Sequence, residues 1–363
     1  MKKNIILHDT FLYKGGGERL ILMMAKALDA DLASGFFSKG SFDLRKEGFK
    51  GEMISLTDEV FKKGFRHFKL KFAFLFKTKF LKNYENVIFS GDSISAVRNC
   101  GKNTKKVYYC HTPPRYLYDL KNIYLKKVPF LLKPAFLLVS YIFRKMYERD
   151  ISKMDLILTN SINTQKRIKK FLGVDSQILY PPVDLKEFRF LAQKDYYLSF
   201  ARLADAKRVD RVIEAFKKLP EKKLVVIYGE NDPQREKIFE LAKGCENIEF
   251  KTLPGNIGFT DYVGNCIATI YIPIDEDFGM SPVESMAAGK PVLGVNEGGL
   301  KETIIDKKTG VLIKAGAEVD DIIDAVNFLT PELCLAMKED CEARAKEFSL
   351  EQFEKNLKNF LEK

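Results

Sequence analysis

At 363 residues the chain exceeds what one hydrophobic core usually fills, so two domains of roughly 150 to 180 residues are expected. An apolar fraction of 46%, with apolar and charged segments alternating along the whole length, excludes a disordered or fibrous class. The net charge of +11 points to a polyanionic partner, and the excess sits in the first half: residues 61–83 hold eight Lys or Arg, no acid and seven phenylalanines.

Asn4–His8 reads as a short buried strand, Tyr13–Gly17 as a glycine turn and Glu18–Leu28 as a helix with Leu20, Met24, Ala27 and Leu28 on one face. The pattern returns in the second half, with strands at Tyr197–Phe200, Leu224–Ile227, Ala268–Ile272 and Val292–Val295 separated by helices such as Val209–Lys218 and Arg235–Lys243. Such alternation predicts an α/β protein with parallel sheets covered by helices on both faces. The paired prolines of Leu179–Asp184 disfavour helix and place a hinge near 180–192. The expected domains are therefore 1–180 and 190–348, two Rossmann-like units facing each other.

The opening MKKNIILHD lacks the apolar core of a signal peptide, and the six cysteines form no CxxC pair, so a reduced cytoplasm is the expected setting. The longest apolar run, Val128–Ile142, is interrupted by Pro129, Lys133 and Pro134 and is too short to span a bilayer.

The segment Glu276–Glu284, EDFGMSPVE, follows the apolar strand ATIYIP and leads into a small-residue helix. It thus falls at the carboxyl end of a parallel strand, where open α/β sheets bind ligands. Gly279 lets backbone amides approach a ligand, and Pro282 suits the first turn of a helix whose amino terminus can hold a diphosphate. Glu276 can accept from sugar hydroxyls and Glu284, one turn in, from ribose hydroxyls. Two carboxylates flanking a phosphate-binding helix end describe a nucleotide-sugar site. Two acid triplets, Asp29–Asp31 and Asp275–Asp277, have DxD spacing, but one falls in a connection and the other inside this turn, and no catalytic metal is expected.

This E-x7-E segment, with Phe278 and Gly279 inside it, resembles that of the retaining family 4 glycosyltransferases of the GT-B fold; Ser285 stands where that family usually has Ala. The resemblance runs nearly end to end. It implies that Arg202 and Lys207 clamp the donor diphosphate, and that the turn Gly15–Arg19, with Gly16 and Gly17, lies under the phosphates. It also implies that His111, in CHTPPRYLYD, bonds the transferred sugar's 6-hydroxyl or a nearby backbone group. Donor binding would extend over Phe278, Gly279, Met280 and Glu284, with 349–363 packing back on the first domain. Arg208 and Arg211 leave a solvated basic face as the plain alternative for the cationic pair. Leu20 stands where a dinucleotide fingerprint has its third glycine, which weakens an NAD-enzyme reading. The segment Asn247–Gly264 departs from the family pattern, leaving the base unspecified.

The run CHTPPRYLYD looks most like bacterial mannosyltransferases of O-antigen and related glycan assembly. The implied reaction is hexose transfer, mannose from GDP-mannose first, to a lipid-linked or membrane-associated glycan. It would proceed with retention on one face of the sugar, without metal or other cofactor. A UDP-sugar transferase is the alternative, and a sugar-nucleotide epimerase of the same fold a more distant one. Nucleic-acid binding is disfavoured, because no RNP, KH or helix-turn-helix signature appears. The basic, Phe-rich stretch, with Lys62, Lys63, Lys69, Lys71 and also Arg115, is joined by residues 121–145, which add six cations beside Phe130, Leu131, Phe136, Leu137 and Phe143. Together they predict docking on the anionic inner face of the cell membrane, against the plainer possibility that the phenylalanines fill the core and the lysines are merely solvated.

Overall fold

The computed structural model describes residues 2–59, 63–253 and 258–362, and for residues 63–65 the backbone only. The chain divides into two compact units, Met1–Tyr180 with Glu354–Lys363, and Pro181–Phe353.

The first unit runs β1 (Lys2–His8), α1 (Gly16–Ala27), β2 (Asp31–Ser34), β3 (Met53–Ser55), α2 (Lys63–Phe76), β4 (Tyr84–Ser90), β5 (Lys105–Cys110), α3 (Lys121–Lys126), α4 (Lys133–Ile151), β6 (Leu156–Thr159), α5 (Ile162–Leu172) and β7 (Gln177–Ile178). Its seven strands are all parallel, in the order β3-β2-β1-β4-β5-β6-β7. Parallel strands are covered on both faces, so they read as continuous apolar runs, and β1 accordingly buries every residue from Asn4 to His8. The core holds Ile5, Leu7, Phe36, Phe74, Phe89 and Tyr108. Local signals set the helix ends: α5 starts at Ser161, whose hydroxyl accepts from the Thr164 amide, and stops at Gly173 with φ of +70°.

The second unit runs β8 (Tyr196–Ser199), α6 (Val209–Lys217), β9 (Lys223–Ile227), α7 (Arg235–Leu241), β10 (Ile248–Lys251), α8 (Phe259–Asn265), β11 (Thr269–Ile270), α9 (Met280–Ala287), β12 (Val292–Val295), α10 (Leu300–Thr303), β13 (Gly310–Ile313), α11 (Val319–Phe328), α12 (Pro331–Ala336) and α13 (Lys338–Lys346). Its parallel sheet has the order β10-β9-β8-β11-β12-β13. Helix α6 shows how the sequence dictates packing: Val209, Val212, Ile213 and Phe216, three to four residues apart, are all buried.

The last helix, α14 (Leu350–Glu362), leaves the second unit after Phe353, and its remaining residues belong to the first. There the Lys105 ammonium donates to the Leu361 carbonyl at 2.7 Å and to that of Phe360 at 3.3 Å, satisfying helix-end acceptors with a cation.

In each sheet the chain begins in the middle, builds to one edge, then jumps to the other side of the first strand. The connections leaving β1 and β4, and those leaving β8 and β11, therefore diverge, opening a crevice at the strands' carboxyl ends. Both candidate clusters lie at these switch points.

Candidate active site

In the second unit, the segment after β8 and the segment after β11 meet: the Ile274 amide donates to the Ala206 carbonyl at 2.8 Å. This brings Lys207 to Glu276. The Lys207 ammonium donates to Glu276 Oε2 at 2.5 Å and to Tyr271 Oη at 2.7 Å, and Tyr271 Oη donates to the same Glu276 oxygen at 3.0 Å. The lysine also lies over the Tyr271 ring, 5.1 Å from its centre. Both charged side chains remain about a quarter exposed, at 24% and 23%, so a ligand can reach them. Burial, and then the Glu276 charge, push the Tyr271 phenol well above its ordinary range, which keeps it a hydrogen-bond donor.

The backbone beneath this cluster is held from two sides. Arg208, in the left-handed region at φ of 52°, is buried and donates to the carbonyls of Ile272 (2.7 Å) and Pro273 (3.1 Å) and to Glu297 (2.7 Å). Arg211 pairs with Glu318 and the Ala317 carbonyl. Arg208 is thus no part of a solvated basic face but an internal strut for the strand end that carries Glu276, whereas Arg211 stays a third exposed. On the other side the Gly299 amide donates to the Glu276 carbonyl at 2.8 Å. A methyl group on Gly298 would stand 2.5 Å from that carbonyl oxygen, and one on Gly299 2.5 Å from the Phe278 Cα, so only glycine permits this approach.

Gly279, at φ of +87°, precedes α9 and has no side chain to cover its first amides. Phe278 is buried, edge-on to Phe348 at 5.6 Å. Met280 opens the helix and Glu284 is half-buried, near enough to Tyr271 for its charge to raise that phenol. Ser285 is fully buried, accepting from Thr269 Oγ1 and donating to the Ser281 carbonyl, both at 2.8 Å. Thr269 and Ser285 thus satisfy each other inside the core.

Arg202 is not drawn into this cluster. Its guanidinium stands 3.4 Å from Asp232, whose other oxygen accepts the Leu203 and Gly229 amides, and it is largely exposed. Residues 254–257, inside the segment that departs from the family pattern, lie outside the described residues.

In the first unit a second cluster collects where β1, β4 and β5 end. His8 Nδ1 lies 2.9 Å from Ser90 Oγ, which lies 2.9 Å from His111 Nε2. Ser90 has one hydroxyl proton, so it donates to one ring nitrogen and accepts the N–H of the other, and the two neutral rings must present complementary faces to it. Burial, and then the charge of His111, push His8 down to about 3; burial pushes His111 down to about 4. The His111 carbonyl accepts from Asn160 (3.0 Å) and Thr164 (3.4 Å), pinning the loop. Gly17 faces the His111 ring, where a methyl group would stand 3.9 Å from Cε1, and Gly16 opens α1. Glu18 folds back over the turn: a methyl group on Gly15 would meet its Oε2 at 2.5 Å, so a carboxylate already occupies that helix end.

Beside these lie two carboxyls that the sequence reading passed over. Burial and the Asp92 charge raise Asp9 well above the carboxylate range, and its Oδ1 accepts the Ser93 amide at 3.1 Å. Burial works against ionisation of Asp92 as well, but the His67 bond and the Lys71 charge hold it below the ordinary value. Neither residue belongs to a motif; their signal is only that each directly follows a strand or its turn. Lys71 thus serves the carboxyl pair, Lys69 is half-buried, and Arg115 pairs with Asp119 at 2.8 Å. Lys62 lies outside the described residues, as does the side chain of Lys63. Of the acid triplets, Asp31 accepts from Lys2, Tyr84 and the Glu52 amide, a purely structural set. Among the described residues no group of three or more His, Cys, Asp or Glu could hold a metal ion.

Two parallel-sheet Rossmann-like units, one with a cation and carboxylate at its switch point beside a glycine-started helix, define a GT-B glycosyltransferase. Residues 184–348 match the family Glycosyl transferases group 1, so the second unit is a domain of that family. Over 99% of its length the chain is 26% identical to the alpha-1,3/1,6-mannosyltransferase ALG2 of Dictyostelium discoideum, of which it covers 98%. It is 26% identical over 66% of its length to the human GDP-Man:Man(3)GlcNAc(2)-PP-Dol alpha-1,2-mannosyltransferase, and spans about half of that relative, 54%. Its fold matches Anabaena Alr3699/HepE, solved in complex with UDP and glucose, with a TM-score of 0.78 over the whole of both chains at 16% identity.

Proposed function

We propose that this protein transfers mannose from GDP-mannose, with retention of configuration and without a metal, to a lipid-linked glycan at an anionic membrane surface on the cytoplasmic side. The observation that carries the donor reading is the Lys207–Glu276–Tyr271 cluster at the β8/β11 switch point. It offers a cation for a leaving diphosphate and a carboxylate for sugar hydroxyls within one hydrogen-bonded group. Arg202 would join Lys207 on the phosphates by leaving Asp232, an exchange that its exposure makes cheap. The amides after Phe278, at Gly279 and Met280, would take phosphate oxygens, and Glu284 the ribose hydroxyls. His111, kept neutral, would bond the 6-hydroxyl of the sugar, with Gly16 and Gly17 lending close approach. The mannosyl and lipid-linked parts of the proposal draw on the two relatives, one named as using GDP-Man and a PP-Dol-linked glycan.

Thermal shift against GDP, UDP and ADP tests the base, because a ligand that binds only the native state raises the melting temperature. GDP alone should stabilise the protein, and radiolabelled GDP-mannose should yield an α-linked product on a lipid-pyrophosphate glycan. Stabilisation by UDP with none by GDP would overturn the donor assignment.

A further inference from the structure

Helix α2 presents two opposed apolar faces. Leu70, Ala73 and Phe74 are buried in the core, whereas Phe68, Phe72 and Phe76, each four residues apart, are 54%, 61% and 54% exposed. Part of the phenylalanine-rich stretch therefore fills the core, and part forms a stripe on the surface. The stripe does not end at α2. Phe68 packs on Phe143 of α4 at 5.6 Å, and Lys71 lies over the same ring at 4.9 Å.

Helix α4 carries the surface further. Between Lys133 and Met146 its only buried residue is Ser140, and Leu137, Leu138, Tyr141 and Ile142 are exposed. Before it, the Phe130–Leu132 turn leaves Phe130 80% and Leu131 87% exposed. Side chains this exposed protrude; they do not line a groove that a partner helix would fill. Monomeric proteins rarely leave so continuous an apolar area uncovered.

The charge around this face selects its occupant. Residues 121–145 contain six Lys or Arg and no acid. Arg144 and Lys145 are paired with Glu148, but Lys121, Lys126, Lys127 and Lys133 make no ion pair among the described residues. Lysines without ion-pair partners flanking protruding apolar side chains, with the Lys133 ammonium 5.9 Å from the centre of the Phe130 ring, match a bilayer boundary, where rings and leucines enter the acyl region and ammonium groups lie among anionic headgroups. No helix of the described residues is long and apolar enough to cross a membrane.

We propose that the first unit docks on an anionic lipid surface through this one face, built from the Phe68/Phe72/Phe76 stripe and residues 121–145, with the Phe130–Leu132 turn as the inserted part. The proposal rests on the lipid-linked acceptor reading and locates where that acceptor is met.

The full chain is floated with vesicles of phosphatidylglycerol and phosphatidylcholine, and separately with phosphatidylcholine alone, at low and high salt. The wild type floats with anionic vesicles at low salt, less at high salt, and little with neutral vesicles. The double variant Phe130→Ser/Leu131→Ser and the triple variant Lys126→Gln/Lys127→Gln/Lys133→Gln each lower partitioning at least about tenfold. Both leave GDP affinity unchanged, because these exposed residues belong to the first unit and the Lys207 cluster to the second. Wild type that stays at the bottom of the gradient, or variants that float as the wild type does, overturn the proposal. So does a concentration-dependent dimer in light scattering that the serine variant abolishes while vesicle binding is absent, since the face would then cover a second copy. Failed flotation with intact GDP binding and mannosyl transfer would defeat the docking surface alone and leave the enzymatic reading standing.

Discussion

In the resting enzyme Lys207 and Glu276 neutralise each other, and this makes two variants of one pair move in opposite directions. Glu276→Gln keeps the size of the side chain and can still accept from Tyr271, but removes the charge that holds the ammonium. The loop itself does not depend on that carboxylate, since the Gly299 amide binds the Glu276 backbone. A pair a quarter exposed is worth about 1 kcal/mol, so freeing Lys207 should tighten binding of free GDP about fivefold. The same change removes a charge-assisted contact of about 1.5 to 3 kcal/mol to the sugar, so GDP-mannose, which also gains the freed Lys207, should lose a net of roughly two- to thirtyfold. Lys207→Ala should weaken both ligands by about tenfold or more, having deleted the phosphate contact and left Glu276 facing the anion. Titration calorimetry of GDP and GDP-mannose against the three proteins checks this, and added salt should shrink the GDP effects. If Glu276→Gln binds GDP no more tightly than wild type while Lys207→Ala binds it equally well, the pair has no part in donor binding.

Three further outcomes are expected. Transfer should persist in excess EDTA, because Lys207, Arg202 and the α9 amides can neutralise the leaving group; loss of activity with rescue by magnesium or manganese would refute this. Arg208→Ala should cost about 3 kcal/mol and lower the melting temperature by several degrees, with little recovery in Arg208→Lys, since an ammonium cannot reproduce the fork that holds Ile272, Pro273 and Glu297; an unchanged melting temperature would refute the strut. In a proton NMR titration His111 should titrate near 4 and His8 near 3, and a midpoint near 6.5 for either ring would refute its burial. Their folded values lie below the unfolded one of about 6.5, so the stability they contribute is full above that pH and falls as pH drops through 4 and 3.

Much of the fold was legible because a parallel sheet buried on both faces writes itself as apolar runs between glycine turns. The strands predicted at Leu224–Ile227 and Val292–Val295 match β9 and β12 to within a residue. Glu276 and Gly279 stood out for a different reason, strand-end position and residue type together, whereas Lys207 was singled out only by the family resemblance. Tyr271 was not, since a tyrosine in an apolar strand reads as core, and only the fold shows its hydroxyl reaching Glu276. Asp9, Asp92 and the His8–Ser90–His111 chain were hidden because their contacts join residues 21 to 84 positions apart across neighbouring strands. The phenylalanines of α2 could not be divided between core and surface without the helix phase that packing imposes.

Adjacent residues Lys207 and Arg208 show why charge alone misleads at such a site. In sequence they are two cations in one basic run. The left-handed turn at Arg208 sends its side chain inward to carbonyls at the end of the β11 strand, while Lys207 points to the carboxylate that the same strand end carries. A buried guanidinium with three acceptors is fixed, because leaving any of them unpaired is costly. An ammonium shared between a phenol and a partly exposed carboxylate can exchange partners at small cost. The rigid cation thus positions the exchangeable one, and Gly298 and Gly299 clamp the same backbone from the opposite side. Electrostatic stabilisation of a leaving diphosphate needs charges already in place before the bond breaks, and under the proposed donor reading this division of labour would supply them.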